Sequence, residues 1–169
     1  MLTLLLADTA RCCIALLLLA ASVGKLRGYG AFRDNLSASF GLAPAIAAWA
    51  APGLVAAELL LAAWILGGGT RLPMLLALLL LGTLTAILAY RYFTHSVVRC
   101  SCFGEAARPV SHYDLLRNGL FVGINAAYFA LPREATLPAA SAVLAAGLAS
   151  IVCVAAISLH DIATLAKAD

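Results

Sequence analysis

The chain alternates long apolar runs with short polar breaks, and the spacing of the breaks sets its organisation. Runs close to the 20 residues that carry a helix across about 30 Å of hydrocarbon cover residues 4–24, 45–66, 72–91, 113–131 and 137–159. The pattern predicts five membrane-spanning helices in a single domain over residues 1–169. The first run is expected to stay as a helix and not to be cleaved as a signal peptide. No Lys or Arg precedes it, Asp8 and Arg11 interrupt it, and no small-residue cleavage site follows.

Between the runs lie two tight turns, Gly67-Gly68-Gly69 and Leu131-Pro132-Arg133-Glu134, and two longer connections, 25–44 and 92–112. With five spans, both longer connections fall on one side. Residues 25–44 mix aromatic, basic and apolar residues, so a short interfacial helix is expected there, with Tyr29, Phe32 and Phe40 at the head-group level. The fourth run has a clear start. Pro109 precedes it and Ser111-x-x-Asp114 matches a capping box, which points the positive end of that helix at residues 92–112.

Composition supports this reading. The chain is 64% hydrophobic and 11% charged, with mean hydropathy +1.01, where an ordinary globular domain is roughly 45–50% apolar and about 25% charged. A water-soluble enzyme is excluded, because its exterior could not be covered by so few charged side chains. The net charge of +3 is scattered between the apolar runs, so there is no basic patch for nucleic acid. The bilayer is the expected surrounding.

Of the five cysteines, Cys12, Cys13 and Cys153 lie in apolar runs and read as small core residues. Cys100 and Cys102 form the one pair in a polar segment. Two residues apart in extended chain, their Cα atoms would be about 6.5–7 Å apart, at the limit for a disulfide, so closing the bond requires a bend. A strained, exposed disulfide is a labile one. Arg99 is adjacent, His95 is about a turn earlier, Arg108 shares the segment and the helix start at Ser111 adds partial positive charge; each favours thiolate. Gly104 permits a tight turn after the pair, and His95 and His112 are candidate acid/base groups. A redox-active pair is the favoured reading, with a static staple and half of a metal site as the alternatives.

Ionisable residues inside a membrane are costly and count as candidate functional groups. Glu58 lies ~18 Å into the second span and Arg11 ~21 Å into the first, both measured from the side of the long connections. The matched depths predict an Arg11–Glu58 pair. Asn118 and Asn125 lie on nearly one face of the fourth helix and are candidates to hydrogen-bond a quinone head group. Arg117, by itself, is expected to snorkel to the interface.

The order of these features resembles the MauE family of methylamine-utilisation membrane proteins, among DoxX-like and MauE-like redox-associated proteins. The residues that carry the resemblance are Ser22-Val23-Gly24-Lys25-Leu26, Phe32…Leu36…Phe40-Gly41-Leu42-Ala43-Pro44, Pro52 and Glu58, then Cys100-Ser101-Cys102-Phe103-Gly104 and Ser111…Leu115…Arg117-Asn118, over about residues 10–131. The resemblance implies a four-helix transmembrane bundle similar to vitamin K epoxide reductase and DsbB, with a fifth, C-terminal helix added here. It implies a thiol:disulfide oxidoreductase component of the bacterial inner membrane. Cys100 and Cys102 would be its redox pair, with Arg99, His95, Ser111, Arg117 and Asn118 in support. Its partners would be a thioredoxin-like periplasmic protein and a disulfide-rich client, as in maturation of methylamine dehydrogenase. Residues 25–44 lack the second cysteine pair of the quinone-linked enzymes.

Two signals conflict over orientation. Lys25, Arg27, Arg33, Arg99, Arg108 and Lys167 lie on the long-connection side, against Arg71 and Arg133 on the other, which the positive-inside rule places in the cytoplasm. Lasting disulfide chemistry belongs outside it, and a periplasmic Cys-x-Cys segment is the expectation. Two other functions compete: a soft-metal transporter passing Cu(I) or Hg(II) between Cys12-Cys13 and Cys100/Cys102, and a non-catalytic assembly factor.

Overall fold

The computed structural model describes residues 2–38, 41–68, 71–94, 111–131 and 139–158. Among these residues six helices follow in order: α1 (Leu2–Arg27), α2 (Tyr29–Ala38), α3 (Pro44–Leu66), α4 (Arg71–Thr94), α5 (His112–Tyr128) and α6 (Ala139–Ile157). The protein is an all-α membrane protein. Three helices, α1, α3 and α4, are long and apolar enough to cross a bilayer, and α6 is a shorter apolar helix. The 17-residue α5 carries the buried polar residues Asp114, Arg117 and Asn125.

Local chemistry sets the boundaries. Pro44 opens α3 where a missing N–H costs nothing, and Gly67 with Gly68, at φ +80, closes it. Pro52 lies within α3 on its exposed side. Serine and threonine hydroxyls in the helices donate to carbonyls one turn back: Thr9 to Leu5, Ser22 to Leu18, Thr85 to Leu81 and Ser150 to Ala146. In an apolar medium without water these internal bonds are how a hydroxyl is satisfied.

The centre of the molecule is α1. It packs most extensively against α3 and α6 and also meets α5, while α4 bridges α3 and α5. The main core joins Cys13, Ile14, Leu17 and Leu18 of α1 to Leu61, Ala62 and Ile65 of α3, Met74 and Ala77 of α4, Phe121 of α5 and Ala149, Cys153 and Ala156 of α6. Outward, the helices expose Trp49, Leu60, Leu79, Val143, Leu148, Ile151 and Val154. Such faces suit hydrocarbon and not water.

Residues 25–44 do contain a short helix, α2, but its aromatic residue Phe32 is turned inward. Phe32 is buried in a second cluster with Ala51 and Val55 of α3, flanked by Tyr29, Leu36, Leu54 and Leu59. Phe32 thus packs α2 onto the N-terminal half of α3. Phe40 lies outside the described residues.

Candidate functional site

Glu58 is not paired with Arg11. Its two carboxylate oxygens accept hydrogen bonds from Lys25 Nζ at 2.7 and 2.8 Å, and the Ser22 hydroxyl, whose hydrogen is shared with the Leu18 carbonyl, lies 3.2 Å from Oε2. Both charged side chains are buried, at 3% and 2% exposure. The Lys25 ammonium also lies 5.7 Å from the centre of the Phe32 ring, close enough for a cation–π attraction.

Arg11 is engaged elsewhere. Its guanidinium donates to Asp8 Oδ1 at 3.0 Å and to the Ile65 carbonyl at 2.9 Å. The physical reason for the exchange is register. The antiparallel α1 and α3 set Ser22 level with Glu58 and Arg11 level with Ile65, because α3 begins well beyond the end of α1. Depth counted from each helix's own end on the long-connection side misses this offset. The α3 C-terminus, with its partial negative charge, then draws Arg11.

The Lys25–Glu58 pair faces a cavity of about 40 Å³ at the junction of α1, α3, α4 and α5. Thr85, Asn118, Phe121, Leu81 and Leu84 complete its lining with Leu17, Leu18 and Ala21. Asn118 thus reaches the polar centre from α5, as its position on that helix predicts. Thr85 had no signal in the sequence. A cavity of this size has room for a water molecule and is far below the several hundred Å³ of a usual small-molecule site.

The start of α5 is held by its own acidic residue. Asp114 Oδ2 accepts from the Ser111 backbone N–H at 2.9 Å and from its hydroxyl at 3.2 Å. Its other oxygen lies 3.4 Å from Arg117 Nη2. Arg117 is buried and does not snorkel, because Asp114 one turn earlier supplies a counter-ion inside the fold. Asn125 is also fully buried, and neither atom of its amide has a hydrogen-bond partner among the described residues. It is absent from the lining of the cavity that Asn118 reaches.

The remaining candidates separate. Cys12 lines a cleft of about 170 Å³ with Asp8, Arg11, Ile65, Leu66, Ala142 and Ala145, while Cys13 points at α6. His95, Arg99, Cys100 and Cys102 lie outside the described residues. The helices that flank them, α4 and α5, pack against each other directly, so the Cys-x-Cys segment connects two neighbouring helices. The partner of Glu58 could have been found in the sequence: Lys25 is one turn from Ser22 near the end of the first helix, and both belong to the run on which the resemblance rests.

Residues 3–132 match the family described as methylamine utilisation protein MauE. The chain belongs to the MauE family. No curated protein and no solved structure is a match for it. The matched segment takes in α1 to α5 with Lys25, Glu58, Cys100, Cys102, Ser111, Arg117 and Asn118, and it ends before α6. This MauE protein is accordingly a multi-pass membrane protein associated with methylamine utilisation.

Proposed function

We propose that this MauE protein exchanges disulfides through Cys100 and Cys102 with a thioredoxin-like partner on the periplasmic face of the bacterial inner membrane, and so serves maturation of a disulfide-rich client. The observation that carries the reading is Cys100-Ser101-Cys102-Phe103-Gly104 in the connection between α4 and α5 of a MauE member. Membership supplies the pathway, and two closely spaced cysteines beside Arg99 supply chemistry that needs no other group.

In the exchange, a partner thiolate attacks one sulfur of the Cys100–Cys102 disulfide. A mixed disulfide forms as the old bond breaks, and the released cysteine leaves as a thiolate. The partner's second thiolate then displaces the remaining cysteine. The partner departs oxidised, and Cys100 and Cys102 hold two electrons and, once protonated, two thiols. A second thioredoxin-like disulfide restores the pair by the same steps in reverse. Both halves balance without a quinone.

The test replaces each cysteine singly and both together. One single variant, Cys100→Ser or Cys102→Ser, should accumulate a mixed disulfide with a soluble partner, identified by mass spectrometry of non-reduced membranes. The double variant should trap nothing and should abolish growth on methylamine. Growth equal to wild type with both cysteines replaced would sink the redox reading and leave the assembly-factor role.

A further inference from the structure

Outside the segment matched to the family, α6 brings one chemically distinctive group to the core. Cys153 of α6 and Cys13 of α1 are 5% and 1% exposed and stand opposite each other, although 140 positions separate them. Cys153 Sγ lies 3.4 Å from the carbonyl oxygen of Cys13 itself, and Cys13 Sγ lies 3.7 Å from the carbonyl oxygen of Ala149, one turn from Cys153.

The packing explains why they come so close. Among the described side chains of α6 the buried ones are Ala145, Ala149, Cys153 and Ala156, a row of small residues that lets two helix backbones approach in a membrane. A disulfide needs Cα atoms within about 7 Å and side chains turned toward each other. Reciprocal sulfur-to-backbone contacts across a small-residue interface bring each thiol against the other cysteine's stretch of helix. Cys12 does not compete, since it lies about 100° around the helix from Cys13 and lines the cleft toward α3.

We infer that Cys13 and Cys153 are a second dithiol, able to form an intramembrane disulfide that fastens α6 to α1. Two thiols give up two protons and two electrons as the S–S bond forms. Dissolved dioxygen, which enters hydrocarbon readily, takes both electrons and both protons and leaves as hydrogen peroxide. The product is uncharged and has no S–H to satisfy, so it suits the apolar interior at least as well as the thiols. This inference is independent of the role proposed for Cys100 and Cys102.

The test uses the full chain reconstituted in bilayers, as wild type and as the Cys12→Ala, Cys100→Ser, Cys102→Ser variant, whose only remaining cysteines are Cys13 and Cys153. Air with copper–phenanthroline as catalyst should convert most of the protein to a form whose digest contains the Cys13 and Cys153 peptides linked within one chain. The oxidised form should melt several degrees above the reduced one, and Cys153→Ala should abolish that difference. Recovery of both residues as free, alkylated thiols after unfolding, or linkage only between chains, would overturn the inference. If the triple variant does not fold, the linked or unlinked peptides of the wild type decide the matter.

Discussion

At the residue scale, the buried Lys25–Glu58 pair is the costliest feature of the fold and hence the most informative. Two charges removed from water are tolerable only because two short hydrogen bonds from Lys25 converge on one carboxylate, with the Ser22 hydroxyl beside it. Removing one partner strands the other. Lys25→Met and Glu58→Leu should each cost about 3–5 kcal/mol, and the double replacement less than either. Equilibrium unfolding in a detergent bilayer mimic measures all three, and additive losses would show that the residues do not act as a pair. Gly41 makes a separate demand. Its φ is +66, and a Cβ there would lie 3.1 Å from Arg91 Nη2, so Gly41→Ala should cost at least about 1–2 kcal/mol in the same assay.

At the element scale, α5 depends on its first turn. Asp114 satisfies the Ser111 N–H and sits beside the Arg117 guanidinium, so Asp114→Ala removes a cap and a buried counter-ion together. The loss should exceed the ~1 kcal/mol of a cap alone, and amide exchange should quicken over residues 112–117 before it does elsewhere. The interface of α1 with α6 is sensitive in another way. Ala149 is fully buried against Cys13, leaving no room for extra carbons. Ala149→Leu should lower stability by about 1–3 kcal/mol, whereas the same change at the exposed Ala146 should be nearly silent.

At the scale of the whole molecule, the order of helices fixes sides. α1 and α3 run antiparallel, so the exposed Asp34 of α2 and Thr94 at the end of α4 belong to one face, and Ala130 after α5 belongs to the other. With the native cysteines replaced, Asp34→Cys and Thr94→Cys should react with an impermeant maleimide from the periplasmic side of intact cells, and Ala130→Cys only after permeabilisation. The reverse pattern would put the Cys100–Cys102 segment in the cytoplasm, as the distribution of Lys and Arg alone predicts.

The sequence by itself determined the class of the protein, its helices to within a few residues, the capped start at Ser111 and the family. All of these depend on local composition, on near-neighbour chemistry or on a run of residues read in order. Pairing across the bundle was decided only by tertiary structure. Lys25 meets Glu58, Arg11 meets the end of α3, Arg117 turns inward and Cys153 faces Cys13. Each of these depends on the axial offset and rotation of one helix against another, and those follow from side-chain packing along the whole contact. A count of residues from a helix end gives depth within that helix. It carries no information on where the neighbouring helix begins.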